Sequence, residues 1–272
     1  MKLFYPLLIL ISLISACNGP EGKQKSPYRN AEDSLNKLIN SVRDSIRLYP
    51  REPRLRYNLA VVLQDAGRYQ EALAALDSMH LSKPDPEHPF IFYNYLFKKS
   101  ELQELAGDTI GAIRSLVMLT QPGELTQAGL RLASLYAATK NPETLRICDG
   151  MIAHDSLHRS PEPNYFKGVY YDNIREEEKA IQQFDESIRK DYTFIDAYLE
   201  KGRILYHQKK YAEALKVYQL ALNVSNAFAD TYFWIGKCQE ALGQKEEAKL
   251  NYQRAYGLDK TLTDARDAAE KL

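Results

Sequence analysis

The sequence predicts a mostly helical protein built from repeated units. It has 272 residues, of which only 13 are glycine and 12 are proline, too few to join many strands by tight turns. Hydrophobic residues make up 44% of the chain and charged residues 26%, close to globular averages, which argues against wholesale disorder. Lys and Arg together number 36 and equal Asp and Glu at 36, so the charge balance argues against a nucleic-acid binder.

The first residues are predicted to be a targeting segment. Residues 3–14 are mainly apolar and follow the cation Lys2, as in a secretory signal peptide, and they are fewer than the roughly 20 that span a membrane. The letters ISAC at positions 14–17 resemble the lipobox of bacterial lipoproteins. That resemblance implies that residues 1–16 are removed and that Cys17 carries a lipid. An ordinary signal peptide with an incidental cysteine is the alternative.

A tether is predicted to follow the cysteine. Residues 17–30 are rich in Gly, Pro, Ser and Lys without apolar periodicity, so they cannot bury enough surface to order themselves. Such a segment spans about 20 Å as a coil and about 45 Å at full stretch. The residue after Cys17 is Asn18 rather than Asp. By resemblance to the best-studied sorting rule for lipoproteins, this implies the outer membrane of a bacterial envelope.

Residues 31–50 are predicted to form a helix that caps the N-terminal side of the repeats, and Pro50 stands where the helix would end. The apolar residues of this segment have the spacing of one helical face: Leu35, Leu38, Ile39, Val42 and Ile46.

Small residues recur through the chain, and the dominant period is 34. One series is Ala60, Ser100, Ser134, Gly168, Gly202 and Gly236, and a second, twelve residues later, is Ala72, Ala112, Arg146, Ala180, Ala214 and Ala248. This pattern is similar to the tetratricopeptide repeat over residues 53–262, which would hold six repeats. The resemblance implies an all-α right-handed solenoid of antiparallel helix pairs, A and B. Residues 263–272 are expected to form a polar closing helix.

The spacing has a physical reason. Helix axes approach to about 8–10 Å only where the contacting side chains are small, so helices A and B are expected to meet at the two small series. Gly67, Gly107 and Gly243 stand at predicted A–B turns, where a positive φ is favoured. The third repeat departs most from the pattern, since Arg146 and Gly150 replace the small and the aromatic residue.

No motif predicts catalysis, and we expect neither enzymatic activity nor a cofactor. His154 and His158 lie four residues apart, but with no third ligand they are better interpreted as a surface pair than as a metal site. Cys148 and Cys238 fall in different repeats and are too far apart for a disulfide, so both thiols are expected to be free and structural.

The resemblance also implies a concave groove lined by the A helices. The peptide-clamp members of the family carry Lys and Asn where this chain has Tyr57 and Val61, so an acidic C-terminus is not the expected ligand. Aromatic and Arg side chains are usual interface anchors and predict a partner-binding groove in the last three repeats. The alternative is that the aromatic residues simply pack between adjacent helices. The predicted groove residues are Tyr165, Phe166, Asp172, Asn173, Arg203, Tyr206, Phe233, Trp234 and Lys237.

These observations predict a lipid-anchored scaffold or adaptor that holds a protein or peptide in the bacterial cell envelope. Two other classes stay open. One is a self-assembling structural component, in which the groove or an exposed end docks a second copy. The other is an envelope enzyme, which the absence of a catalytic motif disfavours.

Overall fold

The computed structural model describes residues 27–81, 89–121, 124–155, 157 and 159–272. This part of the chain forms fourteen α-helices and no strand. The helices are α1 Pro27–Leu48, α2 Pro53–Asp65, α3 Tyr69–Asp77, α4 Pro89–Leu105, α5 Thr109–Val117, α6 Gln127–Ala138, α7 Glu143–His154, α8 Glu162–Asn173, α9 Glu177–Lys190, α10 Ile195–His207, α11 Tyr211–Val224, α12 Ala229–Ala241, α13 Lys245–Leu258 and α14 Thr263–Lys271. The all-α solenoid of helix pairs is confirmed.

Each repeat is one pair of helices, from α2 and α3 to α12 and α13. The even-numbered members, α2 to α12, are helices A, and the odd-numbered members are helices B. Helix α1 precedes the first pair in the position of a lone helix B, and it begins at Pro27, inside the range predicted as tether. Helix α14 closes the stack and buries Ala265 and Ala269 against its neighbours. None of the described helices is long and apolar enough to cross a bilayer, and residues 1–26 lie outside that search.

The small residues are buried where helices A and B approach each other. Where helix A carries glycine, an aromatic ring sixteen residues later on helix B fills the space. A Cβ atom built on Gly168 would lie 2.5 Å from the ring of Phe184, and one on Gly236 would lie 2.7 Å from the ring of Tyr252. The aromatic ring of helix B therefore packs directly against the glycine of helix A.

The A–B turns use a residue with positive φ. Gly67, Gly107 and Gly243 have φ of 71°, 82° and 78°, which confirms the three predicted turns. Arg175 and Lys209 adopt the same conformation at φ of 69° and 62°. A residue with a side chain is strained at positive φ. These two turns accept that strain, and the sequence has no glycine there to predict them.

In the third repeat the predicted register is wrong. The buried small residue of α6 is Ala133 rather than Ser134, and the buried face of α7 carries Thr144 and Cys148 while Arg146 is exposed.

Two local features cause the shift. The positive φ lies at Lys140, 33 residues after Gly107, so helix A ends one residue early. Helix α7 then starts with a tighter bond, from the Thr144 N–H to the Asn141 carbonyl at 3.1 Å. The other repeats use bonds of the type Ala180 N–H to Glu176 carbonyl, which span one residue more. Together these steps advance the buried face of α7 by two residues.

The curvature of the stack sets which surface is concave. Helix α6 contacts α8, α8 contacts α10, and α10 contacts α12, so the A helices of the third to sixth repeats lie against one another. This crowding places helices A on the inner side of the curve. Repeat arrays commonly bind their partners on such a surface.

Candidate partner-binding groove

The candidate groove lies on the inner face of α8, α10 and α12, the A helices of the last three repeats. The five aromatic residues predicted to line it are all partly exposed, between the buried core and the open surface. These residues are Tyr165, Phe166, Tyr206, Phe233 and Trp234. None of the five is fully buried in the core, and none is fully exposed.

Trp234 is the centre of the larger aromatic cluster. Its ring stacks on Tyr218, with centroids 6.0 Å apart and planes 14° apart, and this contact joins it to the buried core. Tyr206 from the previous A helix meets it edge-on at 5.4 Å, and Phe233 does so at 5.9 Å. His207 lies 6.4 Å away and is exposed. Trp234 thus packs against rings from two neighbouring repeats and remains partly exposed.

A second cluster surrounds Tyr165 on α8. Its ring contacts Phe166 at 5.5 Å, Phe184 at 5.8 Å and Phe194 at 5.3 Å. Burial raises the pKa of Tyr165, and the nearby carboxylates of Glu200 and Asp196 raise it further. The phenol therefore stays neutral at physiological pH and keeps a proton that it can donate.

The charged groove residues are largely paired with each other. Arg203 on α10 forms ion pairs with Asp172 on α8 and, at 2.7 Å, with Glu200. The Asn173 amide donates to the carbonyl of Ala137 at 3.0 Å. These three predicted site residues, Asp172, Asn173 and Arg203, therefore tie neighbouring repeats together and are less available to a partner.

Lys237 is the predicted site cation that lacks an ion pair within the described chain. Its ammonium group lies over the ring of Tyr206, 6.0 Å from the centroid. The predicted groove residues are therefore mainly aromatic, with Lys237 as their cation without an ion pair to a described residue. Arg203 lies beside them, paired with Asp172 and Glu200.

The groove of the first three repeats has a different character. Lys98 pairs with Glu101 within α4, and Arg131 on α6 pairs with Glu104 on α4 at 2.7 Å, which joins two repeats. Arg131 also lies over the ring of Phe97 at 5.9 Å. The charged groups there satisfy one another, which makes this half of the concave face a weaker candidate.

Two aromatic residues that support the groove were missed by the sequence analysis. Phe194 packs on Tyr165, and Tyr211 packs on Tyr206 with centroids 5.2 Å apart. Phe194 has a recognisable signal, since Phe228 stands 34 residues later at the same repeat position. Tyr211 begins helix B of its repeat, and Tyr69 begins helix B of the first repeat at the same position, so it has a signal too.

The remaining predicted sites are placed as follows. Cys148 and Cys238 are free and buried, as predicted. His154 is exposed with Nδ1 2.8 Å from the Gly150 carbonyl oxygen, while His158 lies outside the described residues. Within the described ranges no three His, Cys, Asp or Glu side chains form a group that could hold a metal ion. Cys17 also lies outside these ranges.

Three family models and one curated relative that match this chain are all described as tetratricopeptide repeats. A family model described as "TPR repeat" matches residues 202–243, and two described as "Tetratricopeptide repeat" match residues 229–262 and 29–89. The TPR repeat-containing protein YpiA of Bacillus subtilis (strain 168) is 22% identical over 262 residues, covering 85% of this chain. The chain spans 62% of the length of that relative.

Two solved structures share the fold. A tetratricopeptide repeat protein from Parabacteroides merdae ATCC 43184 superposes with a TM-score of 0.65 at 17% identity, over 89% of this chain and 93% of that one. The APC/C hetero-tetramer Cut9-Hcn1 gives a TM-score of 0.54 at 14% identity, over 88% of this chain and 46% of that one. The three family models, together with six helix pairs, show that the chain contains tetratricopeptide repeats, and the two solved structures share that fold.

Proposed function

We propose that this chain is a non-catalytic scaffold that holds a segment of another protein in the groove of its last three repeats. The observation that carries the proposal is the placement of Trp234. Its ring stacks on Tyr218 and meets Tyr206 edge-on, and the residue is still partly exposed.

Such an anchor suits binding for an energetic reason. A side chain that is already held in one orientation loses little conformational entropy when a partner covers it. Tryptophan and tyrosine at the centre of an interface commonly cost about 2 kcal/mol or more when truncated. Lys237 beside Tyr206 adds a cation at the same surface. These contacts favour a partner segment with apolar and aromatic side chains.

We further propose that the chain is anchored by a lipid on Cys17 in a bacterial envelope, in the outer membrane. The apolar run before this cysteine and Asn18 after it support this placement. A linker of the predicted composition between the lipid and the repeats would let the groove reach partners beyond the lipid headgroups. The scaffold would then keep its partner close to the membrane.

Affinity capture from membranes tests the proposal when wild-type and variant proteins are compared. Trp234→Ala should abolish capture of the specific partner, while Leu250→Ala, which removes a 65% exposed apolar side chain from helix B α13, should leave capture unchanged. The purified partner should also quench or shift the fluorescence of Trp234, the only tryptophan in the chain. Equal capture of the partner by Trp234→Ala and Leu250→Ala would show that the partner does not bind in the groove.

A further inference from the structure

One edge of the solenoid exposes a row of large apolar side chains. We call it the B–A edge, because each helix B there joins the next helix A. Tyr49 lies at the first junction, Phe90 at the second and Met118 at the third. Leu157, Tyr192, Phe228 and Leu258 occupy the four that follow, and the seven side chains are between 45% and 78% exposed. Every B–A junction in the described chain therefore presents such a residue.

The opposite edge does not share this property. Large apolar side chains are exposed at its turns after α4, α8 and α12, but the turns after α2, α6 and α10 carry none among the described residues. The turn after α10 instead exposes Lys209 and Lys210. An exposed large apolar side chain at every described B–A junction is more regular than scattered exposed residues would be, and clustered apolar surface commonly marks an interaction site.

The N-terminal end of the B–A edge is basic. Arg51, Arg54 and Arg56 lie next to Tyr49 and form no ion pair with any described acidic group. Arg56 donates instead to the carbonyl of Pro50 at 2.6 Å. The one neighbouring carboxylate in this loop, Glu52, accepts from the backbone N–H of Arg54.

The C-terminal end of the same edge is acidic. Asp196, Asp230 and Asp264 begin successive helices α10, α12 and α14, and none of them has a hydrogen bond or ion pair to a described residue. The carboxylates of Asp191 and Asp259 accept only from Thr193 and Thr261.

Their surroundings leave this negative charge uncompensated. Although both residues are exposed, nearby protein atoms desolvate their carboxylates, which raises the pKa of Asp196 and of Asp230, and the charge of Asp259 raises that of Asp230 further. A cation brought to these carboxylates would therefore stabilise their charged forms.

We propose that two copies of this chain pair antiparallel along the B–A edge. In a two-fold interface the same surface of each copy is used, so the basic end of one copy meets the acidic end of the other, twice. The apolar row then lies between the two charged contacts and is covered by its counterpart. An anionic lipid surface is the poorer occupant, because the acidic end would repel it. The pairing goes beyond the groove function, since both grooves stay on the concave faces.

Charge exchange tests this arrangement directly. The variant Arg51→Glu/Arg54→Glu reverses the basic end, and Asp230→Lys/Asp264→Lys reverses the acidic end. Lys209→Glu/Lys210→Glu is the matched control for the basic-end variant, because it also replaces two cations by two carboxylates, but on the opposite edge. All six positions are exposed, so the fold should persist, which circular dichroism would check. Each is placed in the mature chain with Cys17→Ser, so that no lipid contributes to association.

Sedimentation velocity over a concentration series gives the readout. The parent and the Lys209→Glu/Lys210→Glu control should form dimers that weaken with added salt, and each reversed variant should sediment as a monomer. Mixing the two reversed variants should restore the dimer, because both contacts then pair opposite charges again. A monomeric parent at every concentration, or a mixture that stays monomeric, overturns the proposal. Trp234→Ala should sediment like its parent, which separates this test from that of the groove.

Discussion

The ring of Tyr218 occupies the space that any side chain at position 202 would need. A Cβ atom built on Gly202 would lie 2.5 Å from the ring, closer than real contacts allow. The first two repeats place Ala60 and Leu76, and Ser100 and Leu116, at the equivalent positions. A smaller residue on helix A thus accompanies a larger one on helix B, and the pair sets how closely the two helices approach.

Gly202→Ala should therefore destabilise the protein by about 1–3 kcal/mol, because the added methyl group overpacks the contact with Tyr218. Urea unfolding measures the change. The double variant Gly202→Ala/Tyr218→Leu imitates the first repeat and should recover part of the loss. Hydrogen exchange should show the damage concentrated in α10 and α11, since each repeat contacts only its neighbours. A loss of protection spread evenly over all repeats would contradict this contact.

Much of the fold follows from periodicity alone. The 34-residue recurrence of small residues predicts the helix pairs, and the glycines at 67, 107 and 243 predict three turns, because both signals are local. Periodicity gives the wrong register in the third repeat. The hydrogen bond from Thr144 to Asn141 shifts the buried face of α7, and no insertion or deletion in the sequence marks this shift.

The sequence predicts a set of groove residues but not the contacts between them. The repeat register assigns Tyr206 and Trp234 to successive A helices, and the structure brings their rings to 5.4 Å. It cannot reveal that Asp172 pairs with Arg203, or that Asn173 bonds to a carbonyl of another repeat. Those contacts depend on how neighbouring repeats stack, and the pattern of one repeat carries no such information.

The corrected register of the third repeat predicts an asymmetry between adjacent residues. Ala133→Leu should cost about 1–3 kcal/mol, because Ala133 is fully buried. Ser134→Leu should change the free energy of unfolding by no more than about 0.5 kcal/mol, because Ser134 retains exposure. Thermal or urea unfolding of the two variants compares them directly. The opposite order would restore the register expected from the strict 34-residue period.

The two buried thiols are predicted to be unreactive in the folded protein. Burial raises the pKa of Cys148 and Cys238 from 9.0 to about 12, so neither forms the reactive thiolate at mildly alkaline pH. Iodoacetamide should modify them only after unfolding, as mass spectrometry would detect. Rapid labelling of either thiol in the native protein would show that its repeat opens readily.

The same shift has a consequence for stability. Thiols in the unfolded chain ionise near pH 9.0, whereas the folded thiols stay neutral up to about 12. Burial of the neutral thiols therefore contributes to stability below pH 9.0, and this contribution declines as the pH rises from 9.0 to about 12. Cys148→Ala/Cys238→Ala should show a weaker loss of stability over this range when urea unfolding is repeated at each pH.

Cys17→Ser tests the membrane anchor. The folded repeats should be unaffected, because the residue precedes α1, but the protein should leave the membrane fraction. Each buried CH₂ group of an acyl chain contributes about 0.8 kcal/mol, so a lipidated cysteine would dominate membrane binding. Fractionation in high salt, which removes electrostatic attachment, gives the measurement. Complete retention of the Cys17→Ser protein in membranes would rule out the lipid as the anchor.

Photocrosslinking in intact cells tests the proposed groove most directly. A photoreactive amino acid at position 207 would replace His207, which is exposed beside Trp234, and the same residue at position 250 on α13 would serve as the control. The account predicts a specific protein adduct from position 207 that disappears with Trp234→Ala and is absent from position 250. Adducts of equal yield at both positions, or an adduct at 207 that survives Trp234→Ala, would contradict a partner held by this groove.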